Sequence, residues 1–404
     1  MVVEAVGRYG LQRKLANGNM GEVFLAEYSG EAGFRRRVVV KRLFQHLAHH
    51  PEAVRMFQDE AHVLSALNHP NIPQIYDLGY AEGHWYLVIE HVPGFTLAEL
   101  CAAGAREGIP MPFDAVVSAV EQLCDALHHA HERNDDEGRP MRIVHRDVTP
   151  HNVMITPDGF AKLLDFGVAH TARDEAHSGT IKGTLAYMAP EQVRGQRIDK
   201  RSDVFAVGVM LYELTTGRRL FHGGEIEVMT AIVERDVTPP SHWVPGYPQE
   251  LEFIVLTALS RDRGRRYPSA LHLAHALEDY ALSTGVSPNH QALARYYQQV
   301  FREDERLARG HGSYRPIPIT PSQGNAVRHP PSNQPPQSAA VAGRHGRAHL
   351  HELHALRGEP ALEPVVEDMV ELEEAPQALL LPLELDDDLL VEEAPPIVLA
   401  RPKR

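Results

Sequence analysis

The amino-acid sequence predicts an α+β protein with two lobes, a small β-rich N-terminal lobe and a larger helical C-terminal lobe. Short β-branched runs bounded by turn residues continue to about residue 92, and from about residue 113 apolar residues recur at helical spacing instead. With 404 residues the chain also exceeds the usual size of one domain. This length predicts one large globular unit together with further segments.

The N-terminal lobe, residues 9 to about 92, is predicted to consist of strands around one helix. Three short apolar runs have the composition of strands: 23–26, 38–41 and 85–89. A helix is predicted after Pro51, where four apolar residues at three- and four-residue spacing form one stripe: Val54, Phe57, Ala61 and Leu64. A small strand-rich lobe ahead of a helical one predicts a cleft between the two.

The C-terminal lobe, about residues 93–280, is predicted to be helical. Four segments show helical periodicity: 113–131, 204–211, 251–281 and 291–307. The main domain is therefore placed at 9–280. Residues 281–308 are assigned to a helical extension.

The C-terminal part of the chain has a different composition. Residues 309–348 are rich in Pro, Gly, Ser, Gln, Arg and His, which is typical of a flexible basic linker. Residues 359–400 mix acidic clusters with Leu and Val and are broken by prolines. We predict disorder over 309–404, and docking of a partner on the acidic tail is the alternative.

Composition excludes some classes of function. The formal net charge of -14 argues against broad nucleic-acid binding, because a protein that neutralises phosphates needs a basic surface. No apolar run approaches the roughly 18 residues of a membrane helix, so no membrane span is expected. Only Cys101 and Cys124 are present and no secretory leader opens the sequence, which predicts a cytoplasmic protein. Four of the 25 histidines could share a helix face near residue 350; metal binding there is the alternative to a solvated histidine-rich segment.

The first candidates for chemistry lie in the N-terminal lobe. Gly18 and Gly21 lie in a turn between strand runs, where the backbone could close over a bulky anion; a plain hairpin turn is the alternative. Lys41 ends an apolar strand, where it is otherwise a solvated edge charge. Glu60 falls on the apolar stripe of its helix, where a carboxylate needs a cation, and Lys41 is the candidate. The alternative for Glu60 is a position at the rim of the core.

Three polar residues of the C-terminal lobe are candidates for catalysis and metal binding. Asp147 follows a His-Arg pair, Asn152 comes five residues later, and Asp165 ends a buried run and precedes Phe-Gly. Because Mg²⁺ takes one or two carboxylates plus substrate phosphates, Asn152 and Asp165 suit the metal. Asp147 can then orient an incoming hydroxyl and accept its proton. Such a set suits phosphoryl transfer, where positioning and charge neutralisation dominate.

Taken in chain order, these motifs resemble those of the protein kinase family. The glycine turn, Lys41, Glu60, the His-Arg-Asp and Asn motif, Asp-Phe-Gly at 165–167 and Ala-Pro-Glu at 189–191 all occur with suitable separations. The resemblance covers roughly residues 9–280 and is closest to eukaryotic-like bacterial serine/threonine kinases. It implies a bilobal protein-kinase-like fold and magnesium-dependent transfer of the γ-phosphoryl group of ATP to proteins in bacterial-type signalling.

The resemblance also implies contacts with ATP, position by position. Lys41 would hold the α- and β-phosphates and Glu60 would orient it, while Glu90 and Val92 would offer backbone groups to adenine. All positions implied to contact ATP are Ala16, Gly18, Gly21, Val23, Val39, Lys41, Ile89, Glu90, Val92 and Met154. Val39, Ile89, Val92 and Met154 are alternatively plain core residues.

Further roles follow from the same resemblance. Asp203 would anchor the backbone of the catalytic loop, and Glu191 would pair with Arg266. Arg146 would pair with a phosphate on the activation loop, where the candidate acceptors, alternatively ordinary loop hydroxyls, are Thr180 first, then Ser178 and Thr171. Thr184 would bond Asp147, which favours serine and threonine as acceptors over tyrosine.

Two positions depart from the family pattern. Ala16 replaces the first glycine of the loop, for which we expect a modest effect on nucleotide affinity. Thr149 stands where serine/threonine kinases usually have a lysine that neutralises the γ-phosphate, so part of the transition-state stabilisation is missing. The alternative to an active kinase is therefore a nucleotide-binding pseudokinase that acts as a scaffold. A small-molecule phosphotransferase is a third class, which the Ala-Pro-Glu segment disfavours.

Overall fold

The computed structural model describes residues 4–18, 20–166 and 185–301, all of which belong to the first of two units, 1–324. Within these ranges a six-stranded antiparallel sheet with one helix precedes a mainly helical lobe that carries a small three-stranded sheet. The predicted α+β class with a strand-rich lobe before a helical lobe is confirmed. The tail predicted over 309–404 lies outside the described residues.

The larger sheet contains β1 (Ala5–Val6), β2 (Tyr9–Asn17), β3 (Gly21–Ser29), β4 (Arg35–Leu43), β5 (Ile75–Ala81) and β6 (His84–Glu90), in the order β1-β2-β3-β4-β6-β5. Each predicted strand run lies within one of these strands. Successive side chains of β4 alternate between faces, so Val38 and Val40 are buried in the sheet's apolar cluster while Val39 and Lys41 share the opposite face. That face lines the cleft.

Helix α1 (Pro51–Ala66) begins at a proline, whose fixed backbone angle suits the first helical turn. Its buried residues include Phe57, Ala61 and Leu64, as the predicted stripe requires, and Val54 is partly buried. Glu60 is also buried on this stripe. The helix therefore brings one carboxylate to the apolar side of the N-terminal lobe.

The small sheet follows, in the order β7-β8-β9, and is formed by β7 (Phe95–Thr96), β8 (Val153–Ile155) and β9 (Ala161–Leu163). The remaining helices are α2 (Leu97–Glu107), α3 (Phe113–His131), α4 (Pro190–Val193), α5 (Arg201–Thr216), α6 (Glu225–Glu234), α7 (Gln249–Ala258), α8 (Ala270–Thr284) and α9 (His290–Val300). Helix α5 is buried continuously from Ser202 to Tyr212, which makes it the centre of the lobe. None of the helices in the described ranges combines the length and apolarity that a bilayer crossing requires.

The helical pattern predicted over 251–281 is interrupted in the structure. Helix α7 ends at Ala258 and α8 begins at Ala270. Between them, Asp262 caps a short turn, Arg266 adopts extended backbone, and the Ser269 side chain accepts a hydrogen bond from the His272 N–H at the start of α8. Periodicity alone misses this break because apolar residues on both helices keep a similar spacing, whereas the caps end one helix and start the next.

Helix α9 packs against α2 and α3. The Tyr296 hydroxyl donates to the Ile109 carbonyl, and a side chain at Gly104 would overlap that hydroxyl. At the end of α9, the Phe301 ring stacks on Phe95 with ring centroids 4.2 Å apart and also contacts Tyr297. The helix thus covers apolar surface next to β7.

We expect Phe301→Ala to lower the free energy of unfolding by about 3 kcal/mol, because it removes a ring that is 4% exposed and leaves a cavity beside Phe95. The melting temperature of the full chain should fall by about 6 °C. Phe253→Ala is the matched control, since the Phe253 ring on α7 is 70% exposed and its removal should change little. Equal melting temperatures for the two variants would contradict the packing role of Phe301.

Candidate active site

A cleft between the six-stranded sheet and the helical lobe collects most of the residues that the sequence singles out. Side chains of β3, β4, α1 and β6 line one wall, and side chains of β8 and the segment after β9 line the other. The lining residues are Leu15, Val23, Val39, Lys41, Glu60, Leu64, Pro73, Leu87, Ile89, Glu90, His91, Val92, Met154, Leu164 and Asp165. Apolar walls with a few polar groups are typical of a site for a small molecule.

The ion pair predicted between Lys41 and Glu60 is present. The Lys41 Nζ atom lies 2.6 Å from Oε1 and 2.8 Å from Oε2 of Glu60, and the Glu60 side chain is nearly fully buried. Burial alone would lower the pKa of Lys41, but the carboxylates of Glu60 and Asp165 outweigh it and raise this pKa. The ammonium group therefore stays charged inside the cleft, held by α1 and close to Asp165.

We expect Glu60→Gln to lower kcat/KM for ATP by about a hundredfold, because the amide no longer fixes the Lys41 ammonium through two charged oxygens. Phosphate incorporation at varied ATP concentration measures the change. Asp59→Asn is the matched control, since Asp59 precedes Glu60 on α1 and its side chain is half exposed. An unchanged kcat/KM in Glu60→Gln would show that the pair serves stability alone.

The backbone of the loop around Asp147 is held by a buried carboxylate. Asp203, in the first turn of α5, accepts hydrogen bonds from the N–H groups of His145 at 2.9 Å and Arg146 at 2.8 Å. The His131 Nε2 atom lies 2.7 Å from the same carboxylate. Burial would raise the pKa of Asp203, but the hydrogen bond with His131 and the neighbouring groups lower it, so the carboxylate stays ionised. These contacts hold Arg146 at a φ of 71°, which is unfavourable for a residue with a side chain.

The Asp147 side chain is positioned with one oxygen bound and one oxygen unbound. The Asn152 Nδ2 atom donates to the Asp147 carbonyl and to Oδ2, both at 2.8 Å. The Asp147 N–H donates to Nδ1 of His145 at 3.3 Å. The Oδ1 atom is buried and has no hydrogen-bond partner among the described residues. A buried carboxylate oxygen without a donor is a natural acceptor for a substrate hydroxyl.

The segment that carries Asp165 is fixed on both sides of it. The Leu164 N–H donates to the Asn152 carbonyl at 2.7 Å, and the Leu164 carbonyl lies 2.9 Å from Nε2 of His145. The Phe166 ring is buried with its centroid 4.7 Å from that of His145. Asp165 itself has a φ of 50°. The backbone thereby brings Asp165 beside Asn152.

The donor set fits a magnesium ion shared with a polyphosphate. Because the Asn152 amide nitrogen is bonded to Asp147, its amide oxygen is turned to the other side and accepts no hydrogen bond from the described residues. Asn152 and Asp165 thus supply two hard oxygen ligands, and Mg²⁺ commonly takes the rest from phosphates and water. Among the described residues no group of three or more His, Cys, Asp or Glu side chains could hold a metal ion by itself.

The glycine turn and the segment after β6 are the other two places where the resemblance implies contacts with the nucleotide. The Gly18 N–H donates to the Gly21 carbonyl at 2.7 Å, which closes the turn. A side chain on Gly21 would overlap the Arg42 carbonyl oxygen, so close pairing of β3 with β4 requires glycine there. The backbone groups of Val92 make no hydrogen bond within the described ranges, which leaves them for a heterocycle.

The predicted pair of Glu191 and Arg266 is bidentate and buried. Nη1 and Nη2 of Arg266 each lie 2.7 Å from one oxygen of Glu191. The Ser202 hydroxyl also donates to Glu191 at 2.7 Å, and the guanidinium donates further to the Ser260 and Arg201 carbonyls. The pair therefore connects α4, the start of α5 and the segment between α7 and α8.

A second buried network was not predicted from the sequence. The Tyr187 hydroxyl donates to Oε2 of Glu213 at 2.7 Å, and Arg219 donates to both groups. Burial is the main cause that raises the pKa of Glu213, and Arg219 opposes it. The available signal was a glutamate on an otherwise apolar helix, the same signal that identified Glu60.

The structure brings many but not all predicted ATP positions to the cleft. The lining includes Val23, Val39, Lys41, Ile89, Glu90, Val92 and Met154. Ala16 is buried in a small apolar cluster with Leu15 and Val23 but does not itself line the cleft, and neither Gly18 nor Gly21 is part of the lining. The roles of all these residues in binding ATP stay predictions.

The remaining predicted positions are Thr149, which the structure describes, and four hydroxyl residues that it does not describe. Thr149 is buried and offers a hydroxyl at the position where the resemblance implies a lysine. The predicted acceptors and the predicted partner of Asp147 are outside the described residues: Thr171, Ser178, Thr180 and Thr184. The lining residues that sequence reasoning missed are Leu15, Leu64, Pro73, Leu87, His91 and Leu164. All but His91, which directly follows β6, are apolar, and none belongs to a local motif.

Comparisons with known proteins agree with this geometry. A family model described as "Protein kinase domain" matches residues 9–277. The chain is 40% identical over 282 residues to the Tyrosine-protein kinase MasK of Myxococcus xanthus (strain DK1622), covering 69% of this chain and 44% of that protein. It is 37% identical over 268 residues to the Serine/threonine-protein kinase PrkC of Bacillus subtilis (strain 168), covering 65% of this chain and 39% of that protein.

The chain therefore spans less than half of the length of these two curated relatives. Among solved structures, the PknI kinase domain of Mycobacterium tuberculosis superposes with a TM-score of 0.52 at 25% sequence identity, over 69% of this chain and 98% of that chain. The fold, the ordered motifs and the family match over 9–277 agree with each other. The chain belongs to the protein kinase family.

Proposed function

We propose that this chain transfers the γ-phosphoryl group of ATP to serine and threonine hydroxyls of proteins. The observation that carries the proposal is the buried Oδ1 atom of Asp147, which has no partner among the described residues while Oδ2 is fixed by Asn152. This arrangement holds one carboxylate oxygen ready for a hydroxyl proton, and Asn152 joins its loop to Leu164 on the wall of the cleft. Membership of the protein kinase family supports the same reaction.

Each residue of the site has a defined task in this reaction. Lys41, kept charged by Glu60, would contact the α- and β-phosphates of ATP. Asn152 and Asp165 would hold Mg²⁺, which when bound neutralises phosphate charge and orients the phosphates. Asp147 orients the acceptor hydroxyl and takes its proton late in the transfer. The apolar side chains of Val39 and Met154, on opposite walls of the cleft, would pack on the adenine ring and exclude water from it.

The acceptor type is the finer part of the proposal. The curated relative PrkC is named a serine/threonine kinase, whereas MasK is named a tyrosine kinase. Serine and threonine are favoured by Thr184, which by resemblance narrows the acceptor pocket next to Asp147. Tyrosine is the competing acceptor, because Thr149 removes the cation that serine/threonine kinases usually place there.

The test is phosphate incorporation by the purified full chain with labelled ATP and Mg²⁺. Three peptides that differ only in a serine, threonine or tyrosine acceptor report the preference, and mass spectrometry maps sites on the chain itself. We expect transfer to serine and threonine, and a loss of at least about a hundredfold in Lys41→Met. Equal incorporation by the wild type and Lys41→Met would assign the activity to a contaminating enzyme, and a faster tyrosine peptide would overturn the acceptor assignment.

The second candidate function is a nucleotide-binding scaffold with little transfer. It is favoured by Thr149, which is 3% exposed and offers only a hydroxyl where a lysine would neutralise the γ-phosphate. Stabilisation of the chain by Mg-ATP in a thermal melt, with no transfer to any acceptor, would identify this function. Transfer that exceeds the Lys41→Met background rejects it.

Regulation by autophosphorylation in the activation loop is part of the proposal. Arg146 supports it, since its backbone is fixed by Asp203 directly before the catalytic acid and an arginine can pair with a phosphate through two parallel bonds. Thr180 is the first candidate acceptor, followed by Ser178 and Thr171. A cytoplasmic site of action and docking of a partner on the acidic tail also stay predictions from the composition.

A further inference from the structure

A second groove lies in the helical lobe, away from the nucleotide cleft. Its walls are formed by the end of α5, the turn that follows, the segment after α6 and the segment before α7, and its volume is about 240 Å³. Four of the described residues that line it are basic or histidine: Arg218, Arg219, His222 and Arg235. The acidic residue of the lining is Asp236, which pairs with Arg261 at 3.1 Å. The groove is therefore locally positive on a chain with a net charge of -14.

Two of the arginines are available to an anion. Within the described residues neither Arg218 nor Arg235 forms an ion pair with a carboxylate, whereas Arg219 is bound to Glu213. The Arg218 guanidinium lies 4.5 Å from the ring centroid of Trp243, and the Trp243 indole donates to the Tyr212 hydroxyl at 2.9 Å. Stacking on a fixed ring orients the guanidinium and leaves the N–H groups at its edge for an oxyanion.

The groove is connected to the turn ahead of Ala189-Pro190-Glu191. Its third arginine, Arg219, donates to the Tyr187 hydroxyl at 2.6 Å, in the turn directly ahead of Ala189-Pro190-Glu191. The Tyr187 hydroxyl is also bonded to Glu213, so the groove and this turn share one hydrogen-bonded network.

We propose that this groove binds an acidic segment of the protein substrate, carrying carboxylate or phosphorylated side chains, next to the segment that presents the acceptor hydroxyl. Two guanidinium groups, of which that of Arg218 lies over the Trp243 ring, suit carboxylate and phosphate oxygens through charge-assisted hydrogen bonds. The chain as a whole carries negative charge and repels anions. A locally positive groove therefore determines where an acidic substrate segment docks and which of its residues lie in the groove. The inference rests on the proposed transfer to proteins and adds the class of substrate.

The test compares peptides that share one serine acceptor and differ in the flanking residues, which are aspartate, asparagine or lysine. With the full-length wild type we expect a KM about tenfold lower for the aspartate peptide than for the asparagine peptide, at similar kcat. The double variant Arg218→Ala/Arg235→Ala should remove this difference in KM and leave the KM and kcat for the asparagine peptide unchanged. Arg106→Ala is the matched control, because Arg106 is an exposed arginine on α2 that lines no part of the groove.

A binding measurement separates this inference from the catalytic proposal. Fluorescence anisotropy of the labelled aspartate peptide should show binding that weakens with added salt and is lost in the double variant. Arg235→Ala alone, which disturbs no ring contact, should weaken binding without lowering the melting temperature. Selective binding without transfer to any peptide would refute the proposed kinase activity and leave the groove assignment standing.

Two outcomes overturn the groove assignment. In the first, the double variant still discriminates between aspartate and asparagine peptides as the wild type does. In the second, a single-stranded oligonucleotide binds the wild type more tightly than the aspartate peptide does, and the double variant no longer binds it. This result would assign the groove to nucleic acid.

Discussion

We expect Asp147→Asn to lower kcat by about a thousandfold, because one carboxylate oxygen of Asp147 accepts the proton of the substrate hydroxyl in the proposed reaction. The side-chain oxygen of the new asparagine can still accept the bond from Asn152, so the loop keeps its geometry. That arrangement turns the new amide NH₂ toward the place of Oδ1, where it donates instead of accepting. The substitution therefore inverts the polarity at the acceptor position while changing the shape very little.

The measurement is steady-state phosphate transfer together with a thermal melt in Mg-ATP. Because Asp147 is not among the residues that line the nucleotide cleft, we expect the stabilisation by Mg-ATP to stay at the wild-type level. Asp158→Asn is the matched control, since Asp158 is exposed in the turn between β8 and β9. A variant at position 147 that keeps more than about a tenth of the wild-type kcat would exclude a role in proton transfer.

The residues of the candidate site stand out in the sequence because each one breaks a local pattern. Lys41 ends a β-branched run, Glu60 interrupts an apolar helical stripe, and Asp147 and Asp165 follow buried segments. Such exceptions cost stability unless the fold satisfies them, so a sequence rarely keeps them without a partner. The ion pair of Lys41 with Glu60 is the clearest case, since its two atoms meet at 2.6 Å although the residues are far apart in sequence.

Other parts of the fold carry too weak a local signal to be predicted. The small sheet has strands of two or three residues, and their pairing joins Phe95 to Ile155 across a long sequence separation. Helix α9 has a clear helical pattern, yet nothing in that pattern shows that Phe301 stacks on Phe95. Such contacts depend on tertiary packing, which periodicity does not contain.

Arg266→Met is expected to lower the free energy of unfolding by about 3 to 5 kcal/mol, the largest loss of stability that we expect from a substitution outside the cleft. The Arg266 side chain is fully buried, and Glu191 is 2% exposed. Without the guanidinium, Glu191 keeps the bond from Ser202 but becomes a buried carboxylate without a cation. The carbonyl groups of Ser260 and Arg201 lose a donor at the same time.

The pH dependence of the stability loss in Arg266→Met tests whether the unpaired charge of Glu191 causes it. In the wild type, burial would raise the pKa of Glu191, but the bonds from Arg266 and Ser202 lower it below its ordinary value of 4.5. A lowered pKa contributes stability above about pH 4.5, which is lost as the pH falls through the folded-state pKa. In Arg266→Met, burial dominates and raises this pKa above 4.5, so the loss of stability is largest at neutral pH and shrinks as the pH falls toward 5.

The double variant Glu191→Gln/Arg266→Met isolates the charge from the packing. It removes both charges, so its loss of stability should be smaller than that of Arg266→Met at pH 7 and should not depend on pH between 5 and 8. Urea unfolding of all three proteins across this range measures both effects. If the loss of unfolding free energy in Arg266→Met stays constant between pH 5 and 8, the lost hydrogen bonds and packing cause it. The unpaired carboxylate of Glu191 would then not be the cause.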